Sequence, residues 1–165
     1  MSVATPADLA ARVLQHYSST IPINIHEIVR AEGIILRIIN TKPDFNGVYI
    51  RLLDQPTIYV NGGHPQNRQT FTLAHELYHH LAAEQGAWNG RSRFHASSGD
   101  QNCREIAEER YANRFAGALL MPCEFVHGMA GMGLAPGQMA KRCQVSVDAM
   151  EIRLKELRLH HALGR

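Results

Sequence analysis

The sequence predicts an α+β domain in which a small antiparallel sheet of about three strands packs on a central helix and is followed by a helical C-terminal segment. Three observations support this fold class. The β-branched runs are concentrated in residues 34–61, where short strands separated by turn residues are expected. Apolar residues recur with a helical period before and after this region. The 165 residues are 45% hydrophobic, which suffices for the core of a single domain spanning 1–165.

The N-terminal part, residues 1–65, is expected to hold two helices and the sheet. A first amphipathic helix runs from Pro6 to Tyr17. A second covers HEIVRAE and stops at Gly33, because glycine accepts the left-handed conformation after a helix end. The strands are IILRII, GVYIRLL and TIYVN, separated by KPDFNG and DQP. Such short runs with turn residues between them indicate an antiparallel meander.

The middle part, residues 66–122, is expected to form two helices. RQTFTLAHELYHHLAAE places its leucines on one stripe and is the central helix. The following GAWNGRSRFHASSG has no period and is rich in glycine and serine, so an exposed loop is expected. The next helix begins near Asp100 or Asn102 and continues to Pro122.

The C-terminal part, residues 123–165, is expected to contain two or three shorter helices, with Pro136 and Ser146 as start signals. AKRCQVSVDAMEIRLKELRL has the spacing of a helix-turn-helix, and residues 134–165 carry a net charge of +3. Its second helix also carries acidic residues that phosphates would repel, so direct DNA binding is possible but not favoured. The preferred interpretation is a helical cap that packs Val145, Met150, Ile152, Leu154 and Leu157 onto the domain.

Cysteine usage and hydropathy bear on the compartment. Cys103, Cys123 and Cys143 form no CxxC pair and are too sparse for a disulfide framework. They are expected to be buried free thiols in a reducing compartment. The sequence contains no run of eighteen apolar residues, and the net charge of +2 does not by itself indicate a phosphate-binding surface. A cytoplasmic protein without membrane partners is expected.

The central helix contains an HExxH pattern at residues 75–79. At about 100° per residue, His75 and His79 lie about 40° apart, one turn up the same face, so both imidazoles can reach one metal ion. Glu76 lies about 60° beyond His79, beside the ion but not as its ligand. Zinc suits such a site, with manganese as the alternative. Glu76 is then expected to take a proton from a water that attacks a carbonyl group.

The third protein ligand is expected from the next helix, because the longer pattern HExxHxxGxxH is not completed here. Glu109 and Asn113 are spaced i, i+4. One supplies a carboxylate to the ion, and the other supplies an amide oxygen that can accept a hydrogen bond from a ligand histidine. Glu105 lies on nearly the same face and is the alternative ligand. Asp100 and His95 are further candidates.

Several neighbouring groups have less specific expected roles. His95 and Tyr111 are candidates for stabilising the oxyanion of the tetrahedral intermediate. His80 lies about 100° around the helix from the preceding histidine and is expected to be exposed. The strand Thr57 to Val60, just before the central helix, could accept an extended peptide by edge pairing.

Three blocks of the sequence resemble the ImmA/IrrE family of bacterial and phage metallopeptidases. RQTFTLAHELYHH at 68–80 is similar to the active-site helix of the family, and EERYANRFAGALLMP at 108–122 is similar to its ExxAN-x-FA-x-x-LLMP block. AKRCQVSVDAMEIRLKEL at 140–157 resembles its C-terminal helical segment. Tyr78 departs from the small residue common at that position, so its ring is expected to narrow the cleft or to pack inward.

The resemblance implies a zincin-like α+β fold that holds a zinc ion. It implies that His75 and His79 are the histidine ligands, that Glu76 is the catalytic glutamate and that Glu109 completes the site. It also implies site-specific cleavage of a helix-turn-helix repressor, which derepresses genes of a mobile element or a stress response. A noncatalytic binding module, such as an antitoxin-like partner, is the alternative function.

Overall fold

A computed structural model describes residues 5–17, 20–84 and 103–159, and of 103–105 only the backbone. The elements over these ranges follow the predicted order. They are α1 Pro6–His16, α2 Ile25–Ala31, β1 Ile35–Ile39, β2 Gly47–Leu52, β3 Gln55–Asn61, α3 Gln66–Glu84, α4 Cys103–Leu120, α5 Cys123–Gly131, α6 Pro136–Cys143 and α7 Val147–Glu156. The α+β fold class is therefore confirmed. No helix in the described ranges is long and apolar enough to cross a membrane.

The three-stranded sheet is mixed, so the predicted antiparallel meander is wrong. Its strand order is β1-β3-β2, with β1 parallel and β2 antiparallel to β3. A two-residue turn with positive φ at Leu53 and Asp54 joins β2 to β3 as a hairpin. The outer edge of β2 faces α3, since the Tyr49 N–H donates to the Glu76 carboxylate. β1 pairs with the other edge of β3 and runs parallel to it.

This topology removes the expected peptide-binding role of Thr57 to Val60. Thr57 pairs with Ile35 on one side and Ile50 on the other, and the pairing continues along the strand. An interior strand has no unpaired backbone groups to offer to a peptide. The edge-pairing hypothesis for this strand is wrong.

The core lies where α3 and α4 pack against each other, with the sheet and α2 against α3 and with α1 against α4. Leu73 and Leu77 of α3 are almost fully buried, as are Phe115 and Leu119 of α4. Burying side chains of this size stabilises the domain by about 1.5–3 kcal/mol each. The two helices are thereby held rigidly side by side, which matters because they carry the candidate site.

The C-terminal helices begin at the predicted signals. Pro136 opens α6, and the Ser146 hydroxyl caps α7 by accepting a hydrogen bond from the Ala149 N–H at 3.1 Å. The inner face of α7 buries Met150 and Leu154 against the domain, as expected of a helical cap. Ile152 does not join them: it is 59% exposed, because it lies on the other side of α7.

Candidate metal centre and active site

The HExxH histidines lie on α3, one helical turn apart on the face that packs against α4. His75 is 9% and His79 is 6% exposed. The polar side of α3 is thus covered rather than solvated, since α4 packs along it. A buried pair of imidazoles is costly unless the rings find hydrogen-bonding or metal partners.

Donor atoms of three residues converge between the two helices. The Nε2 atoms of His75 and His79 are 3.3 Å apart. The Glu109 carboxylate approaches both, with Oε2 at 3.2 Å from Nε2 of His75 and Oε1 at 3.5 Å from Nε2 of His79. These residues form a group that could hold a metal ion, with ligand atoms within 4.8 Å of one another.

The spacing of the donors fits zinc. Ligand atoms at about 2.0–2.2 Å from a tetrahedral zinc ion are separated from each other by about 3.3–3.5 Å. The 3.3 Å between the two Nε2 atoms matches an edge of such a tetrahedron, and a Glu109 oxygen lies at a similar distance from each of them, Oε2 at 3.2 Å from that of His75 and Oε1 at 3.5 Å from that of His79. Two imidazoles and one carboxylate are also a donor set that zinc accepts in catalytic sites.

Asn113 orients one of the imidazoles. Its Oδ1 lies 3.0 Å from Nδ1 of His75. A carbonyl oxygen can only accept, so Nδ1 carries the hydrogen and Nε2 of the neutral ring keeps its lone pair. That lone pair faces the other two donors, and such an outer contact fixes both the tautomer and the ring orientation. The contact expected from the i, i+4 spacing of Glu109 and Asn113 is therefore present.

The protonation of His75 responds to opposing effects. Burial by itself lowers its pKa, but the hydrogen bond with Glu109, the nearby charges of Glu76 and Glu109, and the Asn113 contact raise it. The net effect is a raised pKa. The carboxylates thus favour positive charge at this position, as a site for a cation requires.

Glu76 lies beside the three donors but is held by the sheet. It is 3% exposed, and its Oε2 accepts a hydrogen bond from the Tyr49 N–H at 2.8 Å. Burial raises the pKa of its carboxyl to about 7, against the lowering effects of His75 and the Tyr49 N–H, while Glu109 raises it further. A carboxyl group that titrates near neutral pH can both accept and return a proton.

A cavity of about 290 Å³ opens onto this arrangement. Its lining includes Glu76, His75 and Glu109, together with side chains that the sequence did not single out: Asn46, Arg68, Phe71 and Thr72. The Asn46 Oδ1 is buried and makes no hydrogen bond within the described residues. In the sequence, Asn46 belongs to the turn-forming break KPDFNG between two strands, and that pattern predicts a turn and not a site.

Gly47 explains how closely β2 approaches the site. A Cβ atom added there would lie 2.5 Å from Cγ2 of Thr72, 2.7 Å from the Tyr59 carbonyl oxygen and 3.7 Å from Cγ of Glu76. Only glycine allows the strand to lie this close to α3. The close approach places the Tyr49 N–H within reach of the Glu76 carboxylate.

The other predicted site residues have mixed outcomes. Tyr111 is 42% exposed and is not among the residues that line the site cavity. Tyr78 packs inward, with its ring centroid 5.6 Å from that of His79 and 5.8 Å from that of Phe115. His95 and Asp100 lie outside the described residues, as does the side chain of Glu105.

The expectation that His80 is exposed is wrong. Its side chain is buried, with 4% exposure, and its Nδ1 lies 3.2 Å from the Tyr49 hydroxyl oxygen. The rotation of about 100° from His79 directs it under β2 and not toward solvent. Burial lowers the pKa of His80, so the neutral ring is favoured.

Comparisons with known proteins agree with this architecture. A family model described as the IrrE N-terminal-like domain, Peptidase_M78, matches residues 33–155. A solved structure of a Mycobacterium tuberculosis transcriptional regulator is similar with a TM-score of 0.66 and 21% sequence identity. That match covers 91% of this chain and 46% of the regulator. This chain therefore shares the fold of the matched part and spans less than half of the regulator's length.

Among curated proteins, none matches the sequence significantly. The family match, in contrast, includes the sheet, both helices that carry the candidate site and nearly all of α7. The chain therefore belongs to the Peptidase_M78 family, a metallopeptidase-like family defined by the IrrE N-terminal-like domain.

Proposed function

We propose that the protein is a metal-dependent endopeptidase that uses zinc, with manganese as the alternative ion, and cuts a protein partner. The observation that carries the proposal is the triangle of donor atoms from His75, His79 and Glu109, with Glu76 beside it. The 3.3 Å between the two Nε2 atoms matches an edge of a tetrahedral zinc site. Membership of a metallopeptidase-like family supports the same reaction class.

The chain's own groups would hold the ion and move the proton. When bound, the ion supplies Lewis acidity, which polarises a peptide carbonyl and makes water a better nucleophile near neutral pH. Glu76 takes a proton as the oxygen of the water bonds to the carbonyl carbon. It returns that proton to the amide nitrogen as the C–N bond breaks, so that water is divided between the two products.

The contacts of Glu76 suit this role. Its Oε2 is held by the Tyr49 N–H, which fixes the carboxylate and leaves Oε1 for the proton transfer. The Asn46 side chain lines the same cavity and offers an acceptor to an N–H of the substrate backbone. Such fixed groups hold a substrate in the reacting geometry without reorganisation during the reaction.

The partner we propose is a helix-turn-helix repressor whose cleavage derepresses genes of a mobile element or a stress response. The resemblance of residues 68–80, 108–122 and 140–157 to the ImmA/IrrE family supports it. Direct DNA binding by α6 and α7 is not part of the proposal. The exposed side of α7 carries Asp148 and Glu151, which phosphates would repel.

Cleavage during co-expression tests this function. The protein is produced with the repressor encoded beside its gene, and the repressor is followed by immunoblot. The wild type is expected to shorten the repressor. Glu76→Gln is expected to retain one equivalent of metal and to leave the repressor intact, because a neutral amide cannot accept the proton. Glu124→Gln, at an exposed glutamate of α5, is the matched control and should cleave like the wild type.

The metal content separates the alternatives. We expect about one zinc per chain in the wild type and a loss of zinc in Glu109→Ala, measured by inductively coupled plasma mass spectrometry. If Glu109→Ala kept its zinc, the donor assignment would be wrong. If Glu76→Gln cleaved as fast as the wild type, the general-base role would be wrong. A wild type that holds zinc and leaves every repressor intact would favour the noncatalytic binding module.

A further inference from the structure

A second cavity lies next to the candidate active site. It has a volume of about 580 Å³ and runs between the start of α3, α4 and α7. We call it the apolar groove, after its lining by Phe71, Gly117, Met121, Ala149 and Ile152. Ile152, which is 59% exposed, lies on the side of α7 that lines this groove and not on the side that faces the core.

The apolar groove continues directly from the site cavity. Arg68, Phe71 and Asn113 line both. The contacts of α3 with α4 show why: His79 faces Glu109, and His75 faces Asn113 one turn further. A further step of four residues along each antiparallel helix, about 6 Å, leads to Phe71 and Gly117, which both line the groove. The groove therefore begins one helical turn from the donor atoms.

Gly117, in α4, lines the groove without a side chain of its own. It lies inside α4, where glycine is less stable than alanine by about 0.5–1 kcal/mol. Packing does not require it, because an added Cβ would meet only Cε of Met121, at an ordinary contact distance of 3.8 Å. The missing side chain thus leaves space in the lining of the groove. Space of this kind suits a side chain from another molecule.

Charged residues also line the groove, and three of them form ion pairs. Nη1 of Arg153 donates to Oε2 of Glu156 at 3.1 Å, and Nε of Arg114 lies 3.9 Å from Oε1 of the same carboxylate. With Arg68 and Asp148, the lining holds three positive and two negative groups, so neither sign dominates strongly enough to select a charged side chain. The floor, in contrast, is apolar and favours a large apolar one.

We propose that the apolar groove binds a large apolar side chain of the substrate, such as Phe, Leu or Met, that lies within two residues of the cleaved peptide bond. This inference rests on the proposed function. Four helical residues, about 6 Å along the axis, separate His75 and Asn113 from Phe71 and Gly117 of the groove. Two residues of an extended peptide span nearly the same distance, about 6.6 Å. The groove would thus determine which bonds are cut.

Cleavage profiling of a peptide library tests the proposal. The probe is a mixture of peptides from a bacterial proteome, and the cut sites are read by mass spectrometry. The wild type is expected to prefer large apolar residues at one position within two residues of the cut. Gly117→Leu fills the groove and should lower that preference relative to alanine by about tenfold or more. Gly128→Leu makes the same change at an exposed helical position of α5 and should retain the wild-type profile.

A second filling variant and a binding measurement keep the test independent of folding and cleavage. Ala149→Leu fills the groove from α7 and replaces Gly117→Leu if thermal melting shows that variant unfolded. Methyl-labelled methionines report binding of N-acetyl-phenylalaninamide by NMR. The Met121 signal is expected to shift in the wild type but not in the filled variant, while Met139, buried in α6, serves as the reference.

The outcomes separate the two proposals. Cleavage without any apolar preference, or with the same preference in both filled variants, overturns the groove inference and leaves the peptidase function standing. The absence of a Met121 shift at millimolar ligand overturns it as well. A Met121 shift without cleavage of any peptide or repressor supports the groove as a binding site and counts against the peptidase function.

Discussion

Replacing Gly47 by alanine tests the close packing of the sheet on the active-site helix. The new methyl group would lie 2.5 Å from Cγ2 of Thr72 and 2.7 Å from the Tyr59 carbonyl oxygen. The carbonyl belongs to the central strand and cannot rotate away. β2 must therefore move away from α3, or α3 from β2. The φ angle of Gly47 lies outside the left-handed region, so the expected strain comes from these contacts alone.

The expected cost can be stated from the packing. Overpacking a tight contact destabilises a protein by about 1–3 kcal/mol. A loss of about 2 kcal/mol lowers the Tm of a domain of this size by roughly 4–8 °C. Activity should fall further than stability, because the displaced strand carries the Tyr49 N–H that holds the Glu76 carboxylate. Differential scanning calorimetry and cleavage of the repressor at a temperature well below the Tm measure the two effects separately.

Two companion variants isolate the cause. Gly128→Ala changes a helical glycine with no atoms near its Cβ position and should raise stability by about 0.5–1 kcal/mol. Thr72→Ser removes the methyl group at 2.5 Å, so it should cost less in the Gly47→Ala background than alone. If Gly47→Ala melted within about 1 °C of the wild type and cleaved as fast, the inferred packing of β2 on α3 would be refuted.

Substitutions at Asn46, Cys143 and Arg153 test three other features. Asn46→Ala removes the hydrogen bond proposed between this side chain and the substrate backbone. It should lower kcat/KM about fivefold, which corresponds to the loss of one hydrogen bond, and leave the zinc content unchanged. Burial raises the pKa of Cys143 to about 11. The rate at which this thiol is alkylated in the folded protein should therefore be low at pH 8 and should rise about tenfold per pH unit until the pKa is reached. Equal alkylation rates in folded and urea-unfolded protein would contradict this. Arg153→Met leaves the Met121 carbonyl without its 3.1 Å hydrogen bond. The free energy of unfolding, measured with urea, should fall by about 2–3 kcal/mol. Lys155→Met, at an exposed position of the same helix, is the control and should lower it by less than about 0.5 kcal/mol.

Much of the helical architecture follows from local signals. Pro136 and Ser146 begin helices because a fixed φ and a capping hydroxyl act within one turn. The pairing of strands is different, since it depends on which edge remains free after the other elements have packed. The outer edge of β2 lies against α3, and β1 joined β3. No pattern within the strands themselves reports that choice.

The same division applies to the candidate site. The spacing of His75, His79 and Glu76 on one helix already predicts which groups can meet, because helical periodicity is a property of the local backbone. The spacing of Glu109 and Asn113 predicts a partner face in the same way. Only the tertiary structure could bring the two faces together and bury His80. It also placed Asn46 beside the donors and opened the apolar groove one turn away. These features depend on contacts between residues far apart in sequence, which form only when whole elements pack together.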